Sequence, residues 1–126
     1  MIDIETQVCH WRGGGQEDWG VASELISCGR VRHGLFFANL ALEKLLKAHV
    51  CRHTQDLAPR LHNLVRLAEL AGLNPVPEQL DTLAEMNEFN IEARYPDYAA
   101  APPAHDEALA IMMRAKEIME WLTAAL

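Results

Sequence analysis

Ala38-Asn39-Leu40-Ala41-Leu42-Glu43-Lys44-Leu45-Leu46-Lys47-Ala48 is the stretch on which the fold turns. Together with Leu35 just before it, Ala38, Leu42, Leu45 and Ala48 recur at three- and four-residue intervals and draw one apolar stripe along a helix. Glu43 stands four residues before Lys47, the spacing of a helix ion pair. The pattern predicts a helix from Arg30 to about Arg52, about 30 Å long at roughly 1.5 Å per residue.

Reading upstream, Trp19, Ala22, Leu25 and Ile26 keep helical spacing and Gly29 can supply a left-handed cap, so a helix is expected over Gln16 to Cys28. Gly13, Gly14 and Gly15 precede it and make residues 1–15 read as a flexible N-terminal arm, with the folded domain spanning 16–126. Downstream, Thr54 to Arg60 with Pro59 forms a polar loop. Leu61, Leu64, Val65 and Ala68 then mark a short helix stopped at Gly72. Pro75, Pro77 and Glu78 open a fourth helix expected to reach about Ile91. Glu92 to Ala104, with Pro96, Pro102 and Pro103, cannot be regular helix throughout. Asp106 and Glu107 start a last helix carrying Ala108, Ile111, Ala115, Ile118 and Leu122. The expected fold is all-α, an up-and-down bundle of four to five helices.

Composition supports this and narrows the function. Of 126 residues only 6% are aromatic, while Ala and Leu abound, which suits stacked helices better than a sheet. The formal charge of -7 argues against broad, sequence-blind binding of nucleic acid. No apolar run approaches the roughly 20 residues that span a bilayer, and the first fifteen residues are too polar for a signal peptide. Three scattered cysteines suggest neither a disulfide framework nor a zinc ribbon. A reducing cytoplasm is the expected location, and no cofactor is expected.

Three motifs, in order, carry a resemblance. The run from Ala38 to Ala48 ends in Glu43-Lys44-Leu45-Leu46-Lys47-Ala48; the next helix opens on Leu61-His62-Asn63-Leu64; and Ala93-Arg94-Tyr95-Pro96 follows the fourth helix. Together they resemble the HEPN family over about Gln16 to Leu126. The resemblance implies a HEPN-like bundle, often a homodimer, commonly encoded beside a minimal nucleotidyltransferase and binding a nucleotide or acting with that enzyme. Some relatives are metal-independent ribonucleases of toxin–antitoxin pairs, marked by an Arg followed, after four to six residues, by a His. None of the six histidines here has an Arg at that distance before it.

An accessory binding module rather than an enzyme is therefore expected, with Arg94, Tyr95, His62, Lys44, Lys47 and Glu43 near a nucleotide. Glu43, Lys44 and Lys47 could orient a phosphate or form ordinary helix ion pairs. Arg94 could reach a phosphate bidentately or turn inward to a carboxylate such as Glu43, and Pro96 biases Tyr95 toward extended backbone. His62 could move a proton or merely pack at a helix start. The alternative from another class is an endoribonuclease acting on RNA, with His62 and either Arg60 or Arg94 in place of the missing pair. A third is an interaction domain with no small-molecule ligand. His49 and His53 share a helix face, but zinc wants about four ligands, so they read as complements to a helix C-terminus.

Overall fold

The first helix starts at Ile4, where the Asp3 carboxylate caps it by accepting the Thr6 backbone N–H at 3.1 Å. The computed structural model describes residues 2–94 and 101–126, with side chains described for all of these except 91–94. This helix, α1 (Ile4–Ser27), runs straight through the glycine triplet. The helix start expected at Gln16 is thereby corrected: Ile4 to Gly15, read from sequence as part of a flexible arm, is helical.

Packing explains the difference. Glycine inside a helix costs about 1 kcal/mol relative to alanine, but here two of the three glycines meet the next helix. A Cβ on Gly15 would lie 3.0 Å from the Ala41 carbonyl oxygen and 3.3 Å from the Leu45 nitrogen, and one on Gly14 would lie 3.2 Å from the Lys44 side chain. The close approach lets Val8 bury itself with Ala48 and Cys51, with Ile4 and Trp11 packed on that small cluster.

A tight turn through Gly29, at φ +78°, leads into α2 (Val31–Thr54). This is the central helix, buried almost continuously from Ala38 to Cys51 and packed against all the others. It lies antiparallel to α1, with Gly34 against Ile26 at one end and Arg52 paired with Glu5 at 3.2 Å at the other. The next helix, α3 (Leu64–Leu70), begins three residues later than Leu61 because Asn63 caps it, accepting the Arg66 backbone N–H at 3.1 Å. Gly72, at φ +70°, ends that turn with the His53 ring packed over it. The fourth helix, α4 (Pro77–Arg94), passes the expected end at Ile91, and α5 (His105–Ala124) closes the bundle. Tyr95, Pro96 and the rest of 95–100 lie outside the described residues.

Five helices and no strand make up the described residues, so the chain is all-α as expected. Leu35, Leu42, Leu45 and Leu46 of α2 meet Leu64 and Leu67 of α3, Leu83 and Met86 of α4, and Ile118 and Leu122 of α5 in one core. Among the described residues no helix is long and apolar enough to cross a membrane.

His49 and His53 find separate partners. The His49 ring Nε2–H donates to the Leu122 carbonyl at 2.7 Å, tying α2 to the end of α5. Burial pushes this imidazole below its ordinary pKa, the bond to Leu122 pulls the other way, and nearby Arg52 adds a smaller downward push. The unfolded chain therefore takes up a proton near pH 6.5 where the folded ring does not. This contribution to stability is present above about pH 6.5 and lost as pH falls toward the folded-state pKa. Melting temperature should drop between pH 7 and pH 5 by more in the native chain than in His49→Gln; equal drops would remove His49 as the cause.

Candidate functional site

Halfway along α2, Glu43 points into the bundle with 5% of its surface exposed. Its Oε2 takes the Lys47 ammonium, one turn along the same helix, at 3.2 Å, and its Oε1 accepts from His62 Nδ1 at 3.1 Å. Lys47 is as deeply buried as Glu43, and its Nζ stands 5.2 Å from the centre of the Trp11 ring on α1. A buried ammonium is tolerated only when compensated, and here a carboxylate and an aromatic face share that role.

His62 sits in the coil before α3, its side chain 59% exposed. A carboxylate can only accept, so Nδ1 carries the proton in this contact and Nε2 is left for solvent or a ligand. Beside His62 opens a hollow of about 190 Å³ lined by His62, Asn63, Asn87 and Asn90. Two carboxamide pairs stand at it, one at the surface and one leading inward. Asn87 Oδ1 accepts the Leu64 backbone N–H at 2.8 Å, and Asn87 Nδ2 donates to Asn63 Oδ1 at 3.3 Å. Asn90 Nδ2 donates to Asn39 Oδ1 at 3.3 Å, and the fully buried Asn39 donates to the Met86 carbonyl at 2.8 Å.

The residues singled out in the sequence are thus divided. Glu43, Lys47 and His62 come together. Lys44 turns the other way, across Gly14, to Asp18 on α1 at 2.7 Å. That pairing is one of charge, because the Asp18 oxygen makes no well-aligned hydrogen bond. Arg60 is exposed on the loop ahead of His62. The backbone of Arg94 closes α4 one turn beyond Asn90, while its side chain and Tyr95 lie outside the described residues. Sequence reasoning missed Trp11, Asp18, Asn87 and Asn90. Asn87 and Asn90, three apart among the core positions Leu83, Met86 and Phe89, were the available signal.

The HEPN domain model matches residues 8–125. The chain belongs to the HEPN domain family. Two solved structures are similar to it: TT1696 from Thermus thermophilus, with a TM-score of 0.79 and 20% identity over 95% of this chain and 98% of that one, and ST0689, an archaeal HEPN homologue, with a TM-score of 0.72 and 22% identity over 99% and 98%. At those identities the likeness is one of fold. No curated protein matches the chain. The HEPN match takes in the N-terminal half of α1 from Val8, in keeping with a helix that starts well before Gln16.

Within this HEPN bundle two of the three sequence motifs meet at one point. The Glu-Lys-x-x-Lys run supplies Glu43 and Lys47, and Leu61-His62-Asn63-Leu64 supplies both the imidazole on Glu43 and the cap of α3. The third motif begins at Ala93, one residue short of the end of α4.

Proposed function

We propose that this HEPN chain is a binding module rather than an enzyme, taking a nucleotide at the hollow beside His62. On this reading it works as a homodimer with a separately encoded nucleotidyltransferase, as half of a toxin–antitoxin-like pair in the cytoplasm. The observation that carries the nucleotide reading is a buried, compensated Glu43–Lys47 pair tied to an exposed His62 that lines a polar hollow. Well-packed apolar residues of similar volume would often leave a fold equally stable or more so, so such a cluster beside an open polar wall is better explained by ligand recognition than by stability. Arg94 and Tyr95, just beyond Asn90 in sequence, are assigned the phosphates, which a guanidinium can grip bidentately. Lys44, already paired with Asp18, is the weakest member of the set.

Self-association is supported by an apolar groove between α1 and α5, lined by Trp19, Ile26, Leu109, Met112 and Met113, in which Leu109 and Met113 are exposed. A cytoplasmic location suits three cysteines that are all free thiols.

Calorimetric titration of the full chain with ATP tests the central point. Binding is expected, and His62→Ala should weaken it; heat no greater than that of dilution in the native chain removes the nucleotide from the reading. In the same preparation, sedimentation at 14.1 kDa would remove the dimer, and failure of an adjacently encoded nucleotidyltransferase to co-purify would remove the partner.

One observation favours a second reading, the endoribonuclease. Glu43 holds His62 by Nδ1 and leaves Nε2 outward, which is how a carboxylate orients a general base. Against it, the wall of the hollow carries no Lys or Arg among the described residues to stabilise a cleaving phosphate. Specific RNA cleavage that vanishes in His62→Ala would promote this reading over the first.

A further inference from the structure

The hydrogen-bonding capacity of the hollow can be read atom by atom. Asn63 Oδ1 accepts the Arg66 backbone N–H, and a backbone donor can face only the oxygen of a carboxamide, so the Asn63 orientation is fixed. Its Nδ2, with two hydrogens, has no partner among the described residues. Asn87 is fixed in the same way by the Leu64 N–H; its Nδ2 gives one hydrogen to Asn63 and keeps the other. His62 adds Nε2, which accepts in the neutral ring because Nδ1 holds the proton toward Glu43. His62, Asn63 and Asn87 therefore offer several uncharged donors and, on the imidazole, an acceptor.

Charge and size narrow what this wall can take. The nearby ammonium, Lys47, is 5% exposed and engaged by Glu43 and Trp11. A phosphate pressed against these neutral amides would lose hydration with no free cation among the described residues of the wall to replace it, which is costly. An uncharged ring bearing carbonyl oxygens and ring nitrogens loses far less and pairs well with carboxamide donors, as Asn does on base edges elsewhere. The hollow, at about 190 Å³, is smaller than the roughly 300 Å³ at which pockets for whole ligands begin. It has room for one ring and not for a whole nucleotide.

We infer that His62, Asn63 and Asn87 form a nucleobase subsite, taking the acceptor-bearing edge of the base and leaving the phosphates outside the hollow. The inference rests on the nucleotide reading above and specifies which part of the nucleotide this wall holds.

Asn63→Asp isolates the claim. Asp caps a helix as well as Asn and keeps the oxygen that Arg66 and Asn87 use, but the two free donors become an acceptor. The full chain is titrated calorimetrically with adenosine, guanosine, cytidine and uridine, and separately with inorganic phosphate and ATP. At least one nucleoside should bind without its phosphates, inorganic phosphate should not displace it, and Asn63→Asp should weaken it at least about tenfold with the melting temperature unchanged. Should Asn63→Asp melt low, Asn63→Ser keeps a capping oxygen without the amide and must show the same loss. Phosphate binding at the site with no nucleoside binding overturns the subsite and leaves the nucleotide reading standing. ATP binding equally to the native chain and Asn63→Asp, with His62→Ala still weakening it, also overturns the subsite and leaves the nucleotide beside His62 without a base held by Asn63. A native chain that binds neither ATP nor any nucleoside brings down both.

Discussion

Glu43→Ala is expected to destabilise the protein by about 3 to 5 kcal/mol, the usual cost of leaving one member of a buried ion pair without its partner. The carboxylate serves two groups at once, Lys47 at 3.2 Å and His62 at 3.1 Å. Lys47 is 5% exposed with its ammonium over the Trp11 ring, so removing Glu43 leaves a buried ammonium against an aromatic face without its carboxylate. The melting temperature should fall by roughly 10 °C or more. Adding Lys47→Met to Glu43→Ala removes the stranded charge while keeping the volume, and should recover most of the loss, a coupling that a double-mutant cycle reads directly. An additive cycle, or a single variant melting with the native chain, would mean that Glu43 and Lys47 do not depend on each other for their burial.

The second large effect concerns the glycine triplet. Gly15→Leu should cost about 3 kcal/mol, because a Cβ there already meets the α2 backbone at 3.0 Å and the helices must separate to admit a side chain. Gly13, two residues earlier, has open space where a Cβ would stand, with nothing within 4 Å. Gly13→Ala should therefore stabilise by up to about 1 kcal/mol through helix propensity alone. Denaturant unfolding of the two variants side by side is the measurement. A stabilising Gly15→Leu would show that the close contact of α1 and α2 is not what these glycines provide.

That pair of glycine variants also shows why part of the molecule was legible in sequence and part was not. The stripe from Leu35 to Ala48 reports the period of a helix, a local property, and α2, α4 and α5 appear close to where their periodicity and proline signals put them. The glycines of α1 carry the opposite local signal, and only contact with Ala41 and Leu45, some 26 to 30 residues away, turns that signal into a packing requirement. Read locally, the triplet is a break that puts Trp11 on an arm and hides its place against Lys47. The site divides along the same line. The Glu43–Lys47 spacing is visible within one helix turn, whereas the meeting of His62 with Glu43 and of Asn63 with Asn87 depends on the turn of the chain between α2 and α4.

Asn39 carries a consequence for how the helices choose their register. The leucines of α2 are nearly interchangeable as partners, so an apolar seam alone would let α4 slide along α2 by one turn with little loss. The carboxamide of Asn39 is fully buried and has its donor on the Met86 carbonyl and its acceptor on Asn90. A slide of one turn moves both partners by about 5.4 Å and leaves a buried amide unbonded, so every neighbouring alignment carries a penalty that the native one does not. Asn39 thus acts as a key for a single alignment, the one that brings Asn87 and Asn90 level with His62.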